Sequence, residues 1–223
     1  TYSGLPYLSM LNDNAKRAEY LTSLNQTLYL RDIVERNRIS NIQEFTELMN
    51  VMASGIGSPC NPNKIANTFK SNSKSNLDNK TIANYLSYME EAFIIEKSVR
   101  YDIKGRKYIG TLSKYYFQDI GLRNALLHFR QVEETHIMEN IIYNELRSRG
   151  YSVDVGMVEV RTATERKQLE VDFVANKGDK RYYIQSAFAL PDEEKREQEL
   201  ASLKRINDSF KKVLIMRDDI PPY

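Results

Sequence analysis

His136-Ile-Met-Glu139-Asn140-Ile-Ile-Tyr143-Asn-Glu145-Leu146 opens the stretch whose reading decides the fold, which runs to Leu190. Ile137, Ile141, Ile142 and Leu146 recur at helical spacing. Gly150 is expected to end that helix, because glycine enters the left-handed C-terminal conformation without a steric cost. Three strand candidates follow: Tyr151 to Arg161, Gln168 to Asn176 and Arg181 to Leu190. The second and third are separated by Lys177-Gly178-Asp179, a hairpin-type turn. A loop is read at Thr162 to Lys167, a second helix at Asp192 to Ile206 and a last strand at Lys212 to Met216. The acids at the start of the second helix suit its positive N-terminal end.

The order helix, three strands, helix, strand, with an acid in the middle strand, resembles the restriction-endonuclease-like fold. In a working member of that fold an Asp and a Glu from adjacent strands hold a divalent cation. A Lys two residues after the Glu helps to activate water. The matching positions here are Asp172, Gln185 and Ala187, with Glu139 contributed by the helix. Two of the three strand positions have lost their charge. Ala187 cannot polarise water, the nearest lysine along the strand is Lys180, and alternation puts Ser186 on the face opposite Gln185 and Ala187. Two readings stand: a metal-dependent nuclease with Glu139, Asp172 and Gln185 around one magnesium ion, or a degenerate site in a binding module that assigns no metal ligand.

Several longer runs carry a second resemblance: Arg100-Tyr-Asp-Ile-Lys-Gly-Arg-Lys107, Lys114-Tyr-Tyr-Phe-Gln-Asp119, Gly121-Leu-Arg-Asn124, Arg149-Gly150-Tyr151 and Glu170-Val-Asp-Phe-Val174. They resemble the C-terminal domain of unknown function carried by many predicted prokaryotic AAA-type ATPases, and the likeness covers nearly the whole chain. It implies a module attached to an ATPase core, with ATP and Mg needed only by that core. No Gly-rich loop ending in Gly-Lys-Ser/Thr is present, so no cofactor is expected for the segment itself.

The chain has 223 residues, 41% hydrophobic and 28% charged, with a net charge of +2. That is a globular composition with no bulk electrostatic argument for nucleic acid. One cysteine, Cys60, excludes an internal disulfide. His128 and His136 are too few for a Cys/His zinc site and neither stands beside a nucleophile, which argues against a serine or cysteine hydrolase. Short apolar runs such as Ala92-Phe-Ile-Ile95 rule out a spanning helix, and the expectation is a reduced, cytoplasmic protein. Thr1 is not a methionine and no charged-then-apolar leader follows, a start expected of an excised segment rather than of a processed secretory protein.

The segment before this stretch reads as mainly helical. Helices are expected at Asn14 to Arg36, Ile42 to Ala53, Asn63 to Lys70 after the Asn61-Pro62 cap, and Thr81 to Glu91. A polar turn spans Ser71 to Asn76. Strands Phe93 to Tyr101 and Lys107 to Leu112 flank the turn Asp102-Ile-Lys-Gly105. Helix, helix, turn, helix, hairpin is a winged-helix arrangement, placed at about residues 40–112. The fold class expected is therefore α+β, with a helical, winged-helix part over 1–112 and a restriction-endonuclease-like αβββαβ domain over 113–223. Residues 61–110 hold nine Lys/Arg against five acids. Lys80 and Asn84 on the third helix and Lys104, Arg106 and Lys107 at the wing are the candidates for contacting DNA or RNA; the alternative is a solvated spacer, or a platform for a protein partner. Tyr115, Tyr116 and Phe117 read either as base-stacking rings or, by alternation, as core.

Overall fold

The computed structural model describes residues 3–73, 77–130, 133–161 and 166–217. Its helices are α1 (Asn14–Leu24), α2 (Arg31–Asn37), α3 (Ile42–Ser54), α4 (Pro62–Ser73) and α5 (Asn79–Glu91). Two strands follow, β1 (Ile95–Asp102) and β2 (Lys107–Phe117), then helices α6 (Ile120–Leu126) and α7 (Glu134–Ser148). The rest is β3 (Ser152–Arg161), β4 (Arg166–Lys177), β5 (Lys180–Ala187), α8 (Glu193–Lys204) and β6 (Lys211–Met216). The protein is thus α+β, helices first and a mixed sheet after. The loop read at Thr162 to Lys167 shrinks, since β4 already begins at Arg166, and residues 162–165 lie outside the described residues, as do 74–76 of the polar turn.

Short polar side chains start the helices. Asp13, Asn41, Asp78, Asp119 and Asp192 each accept a hydrogen bond from a first-turn amide of α1, α3, α5, α6 and α8. Asn61 Oδ1 accepts from Asn63 N at 2.9 Å, with Pro62 in the first helical position where its missing N–H costs nothing. The long helix expected from Asn14 to Arg36 is helical throughout, but its middle, Asn25–Leu30, widens to a π-helix. There the buried Asn25 donates its amide to the Leu122 carbonyl at 2.8 Å. Gly150 takes φ +81° after α7, the left-handed cap expected of it.

The chain divides into two compact units, residues 1–97 with 115–133, and residues 98–114 with 134–223. The first unit is helical. Phe45, Leu48, Met49 and Met52 of α3 meet Ile82, Tyr85, Leu86 and Met89 of α5 in its core, with the Tyr85 ring edge-on to Phe45 at 5.2 Å. Tyr115, Tyr116 and Phe117 are 7%, 0% and 1% exposed, so these rings are core and have no face left for a base. Arg123 of α6 is wholly buried, and its Nε donates to the Ala53 carbonyl at 2.7 Å.

In the second unit the sheet order is β2-β1-β3-β4-β5-β6, with β1–β3 and β5–β6 parallel and β3–β4 and β4–β5 antiparallel. The hairpin of β4 and β5 turns at Gly178, whose φ of +60° suits a residue without Cβ. Ile103, Val158, Val171, Val174, Tyr183, Leu203 and Ile206 form one buried cluster of the unit's core.

The division differs from a boundary at 112/113. Arg100, Tyr101 and Asp102 pair in parallel with Val155, Gly156 and Met157, and Ile103 N donates to Met157 O at 3.0 Å. The hairpin read as a free-standing wing is therefore built into the sheet of the second unit, because its exposed strand edge finds a partner in β3.

Candidate functional site

The β4–β5 ladder is paired from Lys177↔Lys180 up to Phe173↔Ile184. One step further the side chain of Asp172 takes over from the main chain. Its Oδ2 accepts from the Ser186 amide at 2.8 Å and from the Ser186 hydroxyl at 2.7 Å, while Oδ1 accepts from Gln185 Nε2 at 3.1 Å. Asp172 and Gln185 thus meet on adjacent strands, as their positions in the sequence suggested. Ser186 does not obey simple alternation: where the regular ladder ends, its amide and hydroxyl both turn to the carboxylate.

Glu139, from α7, joins this group through a residue that strand-by-strand reading did not supply. Lys114 of β2 is buried, and its Nζ lies 2.9 Å from Glu139 Oε1 and 2.7 Å from Glu170 Oε1. The other Glu170 oxygen, Oε2, lies 3.2 Å from Arg100 Nη2 on β1. A lysine therefore does stand among the acids, delivered from a separate strand rather than from the positions after Gln185. The one sequence signal for Lys114 is a charged residue at the head of the apolar run Tyr115-Tyr-Phe117, a place where a cation needs a buried acid.

Burial and, after it, the nearby charge of Glu139 push the Asp172 carboxyl up to about 6, although Lys114 and the two Ser186 hydrogen bonds act the other way. Burial alone would lower Lys114, but Glu139, Glu170 and Asp172 outweigh it and hold the ammonium above its ordinary range. The cluster is a charged network: Lys114 and Arg100 offset two of the three acids, and Asp172 accepts from neutral donors.

The arrangement does not fit a hard divalent cation. Such an ion takes oxygen ligands open towards one point. Here Glu139 and Glu170 face an ammonium, the Gln185 NH2 faces Asp172, and the Gln185 carbonyl oxygen lies 3.4 Å from the Ser202 hydroxyl. Among the described residues no group of three or more His, Cys, Asp or Glu is disposed to hold a metal.

The candidates for nucleic-acid contact fall on both units. Lys80 and Asn84 are exposed on α5 in the first unit. Lys104, Arg106 and Lys107 are exposed at the β1–β2 turn in the second. That turn is held by Asp102, whose Oδ1 accepts from Lys104 N at 3.1 Å and Gly105 N at 2.9 Å. Cys60 is half-buried, and burial pushes its thiol up to about 11, away from the thiolate that a nucleophile requires.

A family model described as a domain of unknown function, DUF8612, matches residues 2–133, more than half of the chain. The chain belongs to this family. It is also similar to an uncharacterised protein of Haemophilus influenzae, 34% identical over 214 residues, which cover 96% of this chain and 50% of the relative. An uncharacterised protein of Methanocaldococcus jannaschii is 30% identical over 208 residues, 93% of this chain and 45% of the relative. The chain spans about half the length of the curated relatives it matches. No solved structure matches it. Among the described residues no helix is long and apolar enough to cross a membrane.

Proposed function

We propose that this chain is a non-catalytic binding module of a larger protein, an AAA-type ATPase, built from a helical part and a restriction-endonuclease-like domain whose metal site has become a structural ion-pair network. The observation that carries the reading is the Lys114 ammonium between Glu139 and Glu170, at 2.9 and 2.7 Å. An ammonium so placed neutralises the charge for which a magnesium ion would compete, and dislodging it would leave a buried cation without its partners. The binding partner is nucleic acid, met by the solvated cations Lys104, Arg106 and Lys107 and by Lys80 and Asn84 of α5.

One observation favours the nuclease alternative: a lysine does lie beside Glu139 and the Asp172 charge, so the missing strand lysine is not by itself disqualifying. A single set of assays separates the readings. Wild type, Asp172→Ala and Lys114→Met are incubated with supercoiled DNA in magnesium and in manganese, and fluorescence anisotropy with duplex and single-stranded DNA and RNA is followed at two salt concentrations. None of the three proteins should nick DNA. The triple change Lys104→Ala, Arg106→Ala, Lys107→Ala should weaken binding across sequences and flatten the salt slope by about one unit per lost phosphate contact. Metal-dependent nicking by the wild type that both single variants lose would establish the nuclease instead. Unchanged affinity and slope in the triple variant would leave a protein-interaction platform.

A further inference from the structure

The second unit contains a cavity of about 670 Å³ that the ion-pair site does not use. Its wall is assembled from four separate places in the chain: the β1–β2 turn with Lys104 and Arg106, the β4–β5 turn with Lys180 and Arg181, Arg205 just after α8, and the loop leading to β6 with Asp208 and Phe210. Five cations thus share one concave wall with two acids, Asp179 and Asp208. Asp208 is committed internally: its Oδ2 accepts from the Tyr183 hydroxyl at 2.6 Å and its Oδ1 from Phe210 N at 3.1 Å.

Four of the cations, Lys104, Arg106, Lys180 and Arg205, form no ion pair among the described residues. Like charges gathered in a hollow without internal partners raise the free energy of the empty site, and an anion bound there relieves it. The fifth, Arg181, is fixed in place. Its guanidinium lies 5.3 Å from the Tyr101 ring centroid and 5.4 Å from that of Phe210, and its Nε donates to Asn176 Oδ1 at 2.7 Å. It is also hydrogen-bonded to Tyr183 and Tyr101, and an arginine clamped this way offers the N–H groups these bonds leave over in a fixed orientation, the geometry that suits phosphate oxygens. Phe210 keeps 40% of its surface exposed, so a planar ring can lie against the aromatic edge of the pocket.

We propose that this cavity is a binding site for a phosphorylated small molecule of nucleotide size, with Lys180, Arg181, Arg205, Lys104 and Arg106 receiving the phosphates. The volume falls in the range of small-ligand pockets, and its walls curve around a compact ligand where a nucleic-acid backbone would need a continuous track. The pocket shares Lys104 and Arg106 with the nucleic-acid surface proposed above, but the inference does not depend on whether the acid cluster is catalytic, and a double variant at Lys180 and Arg205 leaves both shared residues in place, so the two readings fail separately.

The test is calorimetric titration of the full chain at low ionic strength with adenosine 5′-diphosphate, inorganic pyrophosphate, adenosine and a single-stranded oligothymidylate. The diphosphate and pyrophosphate should bind and adenosine should not. The double variant Lys180→Ala, Arg205→Ala should lose affinity for both by about tenfold or more, since each lost charge-assisted hydrogen bond is worth about a factor of ten. Both positions are exposed, so folding, checked by an unchanged urea midpoint, is retained; Arg205→Ala alone repeats the measurement with the smaller change. The proposal is overturned if neither phosphate compound binds, if the affinity is the same in the variants, or if only the oligonucleotide binds, which would make the pocket part of a nucleic-acid surface.

Discussion

Asp172 is the residue at which sequence and structure meet most closely, and its ionisation is measurable. A carboxyl raised from 3.8 to about 6 in the folded state binds its proton more tightly there than in the unfolded chain. Its contribution to stability is therefore greatest below the unfolded value and is lost as pH rises through about 6. Asp172→Asn keeps the shape, and its carbonyl can still accept from Ser186 while the Gln185 amide turns to accept from the new NH2. The expected result is a variant as stable as the wild type at pH 4 and more stable at pH 7, by at most about 3 kcal/mol. Urea denaturation across that range checks it. A stability difference independent of pH would mean that Asp172 titrates normally.

At the scale of elements, β3 shows how packing, not dihedral angle, selects a residue. Gly156 follows the register shift between Asp154 and Gly156. A Cβ there would lie 2.9 Å from Ile103 Cδ1, Val171 Cβ and Val174 Cγ2. These are core atoms on two different segments, the β1–β2 turn and β4, with no room to move apart. Gly156→Ala should cost about 1–3 kcal/mol as overpacking, read as a lower urea midpoint with an unchanged slope. A neutral result would show that the β1–β3–β4 contact is loosely packed. The α5 helix is the contrasting case. Asp78, Ile82, Tyr85, Leu86 and Met89 make its cap and its buried stripe legible in the sequence, because both depend on residues within a few positions.

For the whole molecule, the way the chain is divided has a direct consequence. Residues 98–114 supply most of β1 and of β2, with Arg100, Ile103 and Lys114, to the second unit. A fragment of residues 113–223 therefore lacks the strand that pairs with β3 and exposes Glu170 without Arg100. It should show no cooperative urea transition, whereas the full chain should. Cooperative unfolding of the fragment would return the boundary to 112/113 and make the hairpin an accessory. The same integration sets the basic turn in place: because β1 is anchored to β3, Lys104 and Arg106 stand at the rim of the cavity closed by Lys180 and Arg205.

The sequence by itself determined the local grammar of this protein. Apolar periodicity, Asx caps and Gly150 and Gly178 located the elements within a few residues, and the order helix, three strands, helix, strand over 134–216 follows from them. It also brought Asp172 and Gln185 together, since a short hairpin turn sets the register of its two strands. Only the tertiary structure decided what those residues face. Lys114 reaches Glu139 across 25 positions and Arg100 reaches Glu170 across 70, and β1 joins β3 in parallel although β2, α6 and α7 separate them in sequence. Such pairings are chosen by burial and charge satisfaction over the whole chain, which leave no periodic trace in the residues that make them. That no lysine follows Gln185 was legible; that Lys114 reaches the acids from another strand was a matter of packing.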